Sequence, residues 1–513
     1  MSSIDRKIAK NTLFLYIRMM LTMLISLYTS RVILNVLGVE DFGIYQSVGG
    51  IVLLLSFVNG ALSAGSSRFL TFELGTGNKD KLQRTFTTVF SIHVLLAVLV
   101  IVIAEPIGIW LVNNKLVIPE GRLEAATFAF HISLFTSFFT IIQVPFTASI
   151  ISHENMSVYA YMSIAEVSLR LGIVFLLSVG NLDKLEFYAI LLCIVQISIA
   201  FFYILYCIKR FPEVKCRLSI DRSILKSVLS YSGWNLFAST SIALNTQGTT
   251  ILINMFFNPS VVTARAIANQ VNMAANQFVQ NFRTAVNPQI VKQYAAGDIN
   301  RSKRLLLDST KYSFYLMLML SLPICLVAET LLRLWLGVIP EYATIFLQLA
   351  IVTSLFQVFD TSFYTALYAI GRIRENALIS PVIGFLVLPV SYIFFKTGSS
   401  PVVIGVVMLV FYAILGLVVK PWLIIKYAGY TVNDIVSVFI PCFKVLIVSV
   451  AFPIGLSFWL ETESLLNSVM IVLISIVSVS LTVWFLGITC HDRRMILNVI
   501  KSKLRFCNIH NFE

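Results

Sequence analysis

Charged residues are scarce in this sequence. Asp, Glu, Lys and Arg make up 12% of its 513 residues, about half the fraction that soluble proteins carry. Hydrophobic residues make up 58%, so a water-soluble fold is excluded. The five histidines are scattered, and no cluster of residues has the spacing of a metal centre, a nucleotide-binding loop or a nucleophile–base pair. We therefore expect no enzyme activity, no cofactor and no metal.

Long polar segments are also missing. The longest connections, 209–227 and 289–311, have about twenty residues, too few for a folded catalytic domain. A membrane-embedded polymerase or glycosyltransferase would need a long extracytoplasmic loop, which the sequence lacks. The seven cysteines lie in apolar segments or in segments that we predict to be cytoplasmic, so we expect no disulfides.

The chain has instead a series of apolar runs, each long enough to cross a hydrocarbon core about 30 Å thick. The first is too long for a signal peptide and lacks a cleavage site, so we expect it to remain as helix 1. The sequence predicts an all-α integral membrane protein with fourteen transmembrane helices, near 11–34, 43–64, 85–112, 124–149, 157–179, 185–208, 228–257, 261–288, 311–336, 342–369, 376–396, 401–426, 434–460 and 465–488.

Lys and Arg are unevenly distributed between the two sets of connections. One set, which includes the N-terminus, segment 209–227 and the C-terminal tail, carries most of them, and Lys420 is counted with this set. Basic connections are retained in the cytoplasm, so both termini are predicted to be cytoplasmic. The net charge of +13 then reflects orientation and contact with anionic membrane lipids, and nucleic-acid binding has no support.

A weak internal repeat suggests how the helices are organised. The end of helix 1 aligns with the end of helix 7, with Asn35 on Asn254, and chance similarity between two apolar segments is the alternative. Helices 1–6 and 7–12 would then form two lobes of the same orientation. The predicted parts are an N-terminal lobe 1–208, a cytoplasmic linker 209–227, a C-terminal lobe 228–426, helices 13 and 14 within 427–490, and a basic cytoplasmic tail 491–513 lying on the membrane surface.

Helix 8 carries an unusual number of polar residues for a transmembrane segment. Six of them lie within roughly an 80° arc at helical spacing: Arg265, Asn269, Asn272, Asn276, Gln280 and Arg283. Such a face cannot contact lipid, because unpaired amides there cost several kcal/mol each. It either lines a water-filled cavity or packs against a neighbouring helix. The length of the face favours the cavity, so these six residues are candidate substrate-binding residues.

Other intramembrane charges are candidates for function or for simple pairing. Arg18 and Arg31 in helix 1 join the candidate binding residues. For these two, as for Arg265 and Arg283, snorkelling to the membrane surface is the alternative. Glu166 lies one turn before Arg170, so it either couples an ion or forms an internal ion pair. Asp360 has no obvious local partner. It would bind a coupling proton or Na⁺, or neutralise a cavity arginine.

Several segments together resemble the multidrug/oligosaccharidyl-lipid/polysaccharide (MOP) exporter superfamily, and within it the Wzx-type polysaccharide-unit flippases. The residues that carry the resemblance are Asn11, Arg31, Leu37–Tyr45, Arg68–Gly75, Val144–Ala148, Glu154–Met156 and Ser232–Phe237. The resemblance implies a MATE-like transporter with two six-helix lobes, two additional C-terminal helices and a central cationic cavity.

The function that this resemblance implies is flipping of polyprenyl-pyrophosphate-linked oligosaccharides to the outer leaflet by alternating access. The protein would reside in the bacterial inner membrane and serve O-antigen, lipopolysaccharide, capsule or exopolysaccharide synthesis beside glycosyltransferases and a polymerase. Two alternatives of the same superfamily stay open. A cation-coupled drug antiporter would need carboxylates in its cavity, whereas the candidates here are mostly basic, and a lipid II flippase is a near relative.

Overall fold

The computed structural model describes residues 3–55, 57–177, 182–460, 464–488 and 493–494. Side chains are described from Met19 onward in these ranges, apart from residues 55, 57, 58, 61, 64, 229–235, 238, 285 and 373. Helix makes up 88% of the residues that the structure describes, and these residues include no strand. The predicted all-α fold class is confirmed.

The helices account for most of the predicted spans. Ten helices in the described ranges are long and apolar enough to cross a membrane, and a bent pair is an eleventh candidate, so the chain is a multi-pass membrane protein. Each of the fourteen predicted segments lies mainly on helix where the structure describes it, but their number stays a prediction. The helices are α1 Ser3–Leu55, α2 Phe57–Thr76, α3 Lys79–Asn114, α4 Leu123–Ser152, α5 Met156–Leu177, α6 Lys184–Arg210, α7 Arg222–Ala243, α8 Thr249–Phe256, α9 Pro259–Ala295, α10 Ile299–Leu326, α11 Ala328–Leu336, α12 Ala343–Ala369, α13 Ile373–Lys396, α14 Val403–Ile414, α15 Lys420–Ala428, α16 Val432–Ser457 and α17 Leu465–Thr482.

Local irregularities shape several of these helices. Gly38 divides α1 with φ 81° and ψ 172°, a conformation that costs glycine little because it has no Cβ. The break falls between the predicted segments 11–34 and 43–64. One turn of π-helix, Leu415–Val419, joins α14 to α15, and another, Leu244–Gly248, joins α7 to α8.

The predicted span 311–336 is not one continuous helix. α10 ends at Leu326, three residues after Pro323, and α11 departs at 77°. Proline removes a backbone hydrogen bond and weakens the helix near its position, which apolar periodicity alone does not reveal. The prediction of a single helix is therefore wrong here.

The described residues form two compact units. Unit 1 comprises those within Met1–Ile267, Pro340–Ala343 and Ala377–Val407, and unit 2 comprises those within Ala268–Ile339, Thr344–Asn376 and Met408–Glu513. This grouping differs from the predicted lobes 1–208 and 228–426, because α7, α8 and α13 from Ala377 onward pack with unit 1. The predicted lobes follow topology rather than packing, and their boundaries stay a prediction.

The basic tail is described only at Arg493 and Arg494. The guanidinium of Arg493 donates hydrogen bonds to the carbonyl oxygens of Phe485 at 3.0 Å and Ile488 at 3.1 Å. These bonds satisfy carbonyls that have no partner at the end of a helix. The other residues of the predicted tail 491–513 lie outside the described residues, so a helix on the membrane surface stays a prediction.

Arg122 connects three elements of unit 1. Its guanidinium contacts the carboxylate of Asp41, with Nε to Oδ1 at 2.9 Å, and that of Asp183, with Nη2 to Oδ1 at 3.2 Å. Asp183 also caps α6 by accepting the backbone N–H groups of Leu185 and Glu186. These contacts, with the Arg122 hydrogen bond first among them, hold the pKa of Asp183 below its usual range.

A second connection in unit 1, the α1–α8–α9 junction, consists of Gly43, Ser47, Asn254, Pro259 and Thr263. Asn254 Nδ2 donates to Ser47 Oγ at 2.9 Å, and Thr263 Oγ1 donates to the carbonyl of Val39 at 2.7 Å. A Cβ on Gly43 would lie 2.0 Å from the Pro259 carbonyl oxygen. Only glycine allows the two backbones to approach this closely.

Candidate functional site

The polar helix of the sequence is α9, which begins in unit 1. Asn258 precedes it and accepts the backbone N–H of Val261 at 3.1 Å, and Pro259 occupies the first turn, where its missing N–H costs nothing. Arg265, in this first part, is only 6% exposed. Since protein encloses its side chain, snorkelling to the membrane surface does not describe Arg265. Arg265 is thus enclosed by protein, and its role in substrate binding stays a prediction.

In unit 2, α9 packs against α12 through a triangle of hydrogen bonds between Asn272, Asn276 and Ser354. Asn276 Nδ2 donates to Ser354 Oγ at 2.8 Å and to Asn272 Oδ1 at 3.1 Å. Ser354 Oγ donates to Asn272 Oδ1 at 2.8 Å. Part of the polar face therefore packs against a neighbouring helix, as the alternative to a cavity predicted. Both asparagines nevertheless stay half-buried.

Other polar residues of the same face are not enclosed. Gln280 is exposed and Asn269 is half-buried. Gln277 Nε2 donates to Asn281 Oδ1 at 3.3 Å on the flank of the face. The six candidate residues thus divide into buried, half-buried and exposed positions. Sequence spacing alone treats them as equivalent.

Arg283 is anchored to α12 two turns beyond the Asn–Ser triangle. It is 5% exposed, and its Nη2 contacts the carbonyl oxygen of Thr361 and, at 3.2 Å, Thr365 Oγ1. Thr365 Oγ1 in turn donates to Asn287 Oδ1 at 3.4 Å. These acceptors are all neutral, so they orient the guanidinium without cancelling its charge.

Asp360 lies on α12 beside this arginine and has a partner that the sequence analysis misses. Lys420 Nζ is 3.0 Å from Asp360 Oδ1 and also contacts Asn376 Oδ1. Lys420 is only 2% exposed. The structure thus encloses a lysine that the sequence analysis counts with the basic connections, and the side of the membrane on which it lies stays a prediction. Asp360 has no local partner, as the sequence indicates, but it has this distant one. The two residues are 60 positions apart, and periodicity within one helix cannot join them.

The remaining candidates lie elsewhere. Glu166 forms an ion pair with Arg170, Oε1 to Nη2 2.7 Å, one turn away on α5, as the pairing alternative predicts. Arg31 is exposed, and the structure does not decide between binding and snorkelling for it. Arg18 lies on α1, but its side chain is outside the described residues.

Three α12 residues belong to the site although the sequence analysis does not select them: Ser354 and Thr365 through their hydroxyl groups, and Thr361 through its carbonyl oxygen. They recur seven and four residues apart, which places them on one face of a helix. This spacing is a usable signal. It is weak by itself, because serine and threonine in membrane helices commonly bond to their own backbone.

Comparisons with solved structures identify the fold of this chain. No protein-family model and no curated protein matches the sequence. Among solved structures, an inward-facing MATE-family multidrug resistance transporter of the MOP superfamily has a TM-score of 0.70 at 14% identity, covering 82% of this chain and 98% of its own. The lipid II flippase MurJ, in an inward closed conformation, has a TM-score of 0.70 at 12% identity, covering 92% and 98%.

A third structure extends the same pattern. A MOP-superfamily transporter from Pyrococcus furiosus, described by the reverse polarity of its binding pocket, has a TM-score of 0.58 at 17% identity over 82% of this chain and 97% of its own. The chain therefore has the fold of MOP-superfamily transporters, as the sequence resemblance implies. At these identities the similarity establishes the fold, and the Wzx-type assignment stays a prediction.

Proposed function

We propose that this protein is a flippase that moves polyprenyl-pyrophosphate-linked oligosaccharides from the inner to the outer leaflet of the bacterial cytoplasmic membrane. The observation that carries the proposal is Arg283, a buried guanidinium held by neutral acceptors on α12. A buried cation at membrane depth is costly and is retained where it performs a function. A pyrophosphate is a chemically matched ligand, because arginine forms bidentate, charge-assisted hydrogen bonds with phosphate oxygens.

The α9 amides supply the second part of the substrate chemistry. A glycan carries many hydroxyl groups, which donate to and accept from amide side chains. Gln280 is exposed, and Asn269, Asn272 and Asn276 are half-buried, so all four retain hydrogen-bonding capacity for sugar hydroxyls or water. The lipid chain would stay in the bilayer. In this proposal α9 lines the passage, and alternating access moves its opening from one side of the membrane to the other.

The fold supports transport rather than catalysis, since the solved structures that share it are transporters and a flippase. A drug antiporter would use a carboxylate to attract an organic cation. The ion pair between Asp360 and Lys420 makes that acid a poor ligand for such a substrate. We therefore favour the flippase over the antiporter.

A lipid II flippase is the second candidate. It is favoured by the similarity to MurJ, which extends over 92% of this chain. Lipid II shares the polyprenyl pyrophosphate with the proposed substrate and differs in its sugars and peptide. The choice between the two therefore depends on the glycan side of the site, and not on Arg283.

Identification of bound lipid tests the proposal directly. Native mass spectrometry of the purified protein should detect undecaprenyl-pyrophosphate-linked oligosaccharide, and added substrate should bind. Arg283→Gln should weaken binding at least tenfold, about 1.4 kcal/mol. Arg333→Gln is the matched control, since Arg333 is exposed and pairs with Glu329 on α11. Selective binding of lipid II would favour the second candidate, and recovery of ordinary phospholipid alone would contradict both.

Three further parts of the proposal follow from topology and pathway chemistry. Both termini would be cytoplasmic, as the basic connections predict. Glycosyltransferases would supply the lipid-linked unit, and a polymerase would consume it. Epitope tags at either end, probed for access in intact cells, test the orientation.

A further inference from the structure

The ion pair between Lys420, which is buried, and Asp360, which is half-buried, has the composition of a cation site in unit 2. Two side-chain oxygens, Asp360 Oδ1 on α12 and Asn376 Oδ1 on α13, converge on one point. Carboxylate and amide oxygens are the ligands that hard cations prefer. Here the point is occupied by the ammonium of Lys420, and the ring of Tyr364 lies 5.4 Å from the same nitrogen. An ammonium and an alkali cation carry the same charge.

The backbone places Lys420 at this point. A Cβ on Gly416 would lie 2.4 Å from the carbonyl oxygen of Phe356, so the π-helical turn and α12 are in close contact. Asp360 follows Phe356 by four residues, and Lys420 follows Gly416 by four. Both side chains therefore lie one helical turn beyond the same contact. The register of the two helices fixes the ion pair.

We propose that Lys420 is a tethered counterion that occupies a cation site at Asp360 and Asn376 and excludes alkali cations from it. The ammonium of Lys420 then pairs with the Asp360 carboxylate in place of an ion from solution. Na⁺ has no vacant ligands to bind. Removing the ammonium should leave a carboxylate and an amide oxygen facing a hole, which a small alkali cation can enter. The claim concerns ion binding alone and does not depend on the identity of the transported lipid.

Thermal melting in detergent tests the proposal, in NaCl, LiCl or N-methyl-D-glucamine chloride at equal ionic strength. The melting temperature of the wild type should be the same in all three salts. Lys420→Ala should melt lower in N-methyl-D-glucamine chloride and gain roughly 2–5 °C in saturating Na⁺ or Li⁺. The matched control is Lys426→Ala on the same helix. Lys426 is exposed and stacks on Trp422 at 4.8 Å, and its removal should produce no cation response.

Three further measurements complete the test. Lys420→Ser, which leaves a small polar side chain, replaces Lys420→Ala if the latter does not fold. The double variant Lys420→Ala/Asp360→Asn should lose the response, which assigns the cation to Asp360. Saturable ²²Na⁺ binding by the wild type that disappears in Asp360→Asn would overturn the proposal, as would a folded Lys420→Ala or Lys420→Ser without any cation response. A flippase assay is not used, so these results are independent of the proposed function.

Discussion

The α1–α8–α9 junction in unit 1 and the Asn–Ser triangle in unit 2 use asparagines in different ways. Asn254 in the junction is 0% exposed. Its Nδ2 donates to Ser47, and its Oδ1 accepts the backbone N–H of Val117 at 2.9 Å. Asn272 and Asn276 bond to each other and to Ser354, but remain half-buried.

The difference in burial assigns different roles to the same residue type. A fully buried amide with both ends bonded stabilises one arrangement of helices, because breaking it leaves buried groups unsatisfied. A half-buried amide can exchange a protein partner for water or a sugar hydroxyl at little cost. The α1–α8–α9 junction of unit 1 is therefore a fixed connection, whereas the Asn–Ser triangle of unit 2 is a replaceable connection.

The largest effect on the fixed connection is expected from Gly43→Ala. Its Cβ would lie 2.0 Å from the Pro259 carbonyl oxygen, and backbone cannot move aside as a side chain can. We expect a loss of roughly 3 kcal/mol in the free energy of unfolding, the upper part of the range for overpacking. Equilibrium unfolding in mixed detergent micelles measures the change.

Gly49→Ala on the same helix is the matched control. No atom of the described residues lies within 4 Å of the added Cβ, and alanine favours helix over glycine by about 0.5–1 kcal/mol. This variant should be neutral or slightly stabilised. Equal stability of the two variants would mean that α1 and α9 are not in close contact in the protein.

Asn254→Ala should have the next largest effect. It removes the acceptor of the Val117 N–H and the donor to Ser47 inside the protein, which costs about 1–3 kcal/mol. Asn35→Ala is the control, since Asn35 is the aligned residue of the weak repeat but is exposed. The same unfolding measurement should show a change only for Asn254→Ala. A comparable loss for both would indicate that burial does not distinguish the two asparagines.

The sequence predicts those parts of the fold that depend on local properties. Apolar length identifies the membrane helices, and the boundary near Gly38 follows from glycine and charge between two apolar runs. The bend after Pro323 and the π-helical turn before Lys420 are different. A window of hydropathy cannot detect them, because it registers neither the hydrogen bond that a proline removes nor the close contact between the π-helical turn and α12.

Candidate site residues show the same division. The spacing of α9 identifies a polar face, but it cannot decide which residues of that face contact α12. Lys420 stands six residues before the end of its predicted span, where lysines commonly extend to the membrane surface. Its actual partner, Asp360, belongs to another helix. A basic residue near a span end is therefore ambiguous until tertiary contacts are known.

A smaller effect is expected from the charged contact between Arg122 and Asp183 than from the α1–α8–α9 junction of unit 1. The pKa of Asp183 is held below its usual range by Arg122. A lowered pKa stabilises the folded state above the unfolded value of about 3.9 and loses that contribution as the pH falls through the folded pKa. Asp183→Asn should therefore lose less melting temperature than the wild type as the pH falls from about 5 to about 2.

Glu120→Gln provides the reference for that titration, because Glu120 is exposed in the α3–α4 connection that also contains Arg122. It should follow the wild-type pH profile. If Asp183→Asn also follows the wild type, the contact with Arg122 contributes nothing measurable to stability. The charged contacts of Arg122 would then contribute less to the stability of unit 1 than the α1–α8–α9 junction.

Ser354→Ala should have the smallest effect, because it alters the replaceable connection, the Asn–Ser triangle. Asn272 and Asn276 keep their mutual hydrogen bond at 3.1 Å and are half-buried, so the two amides can bond to water after the hydroxyl is removed. We expect a loss of about 0.5–1 kcal/mol in the same unfolding measurement.

Ser362→Ala on α12 is the control, since its buried hydroxyl has no hydrogen-bond partner among the described residues. A loss for Ser354→Ala as large as that for Asn254→Ala would make the triangle a second fixed connection. The α9 amides could not then open to a glycan without disrupting unit 2, and the transport proposal would lose the polar half of its substrate site.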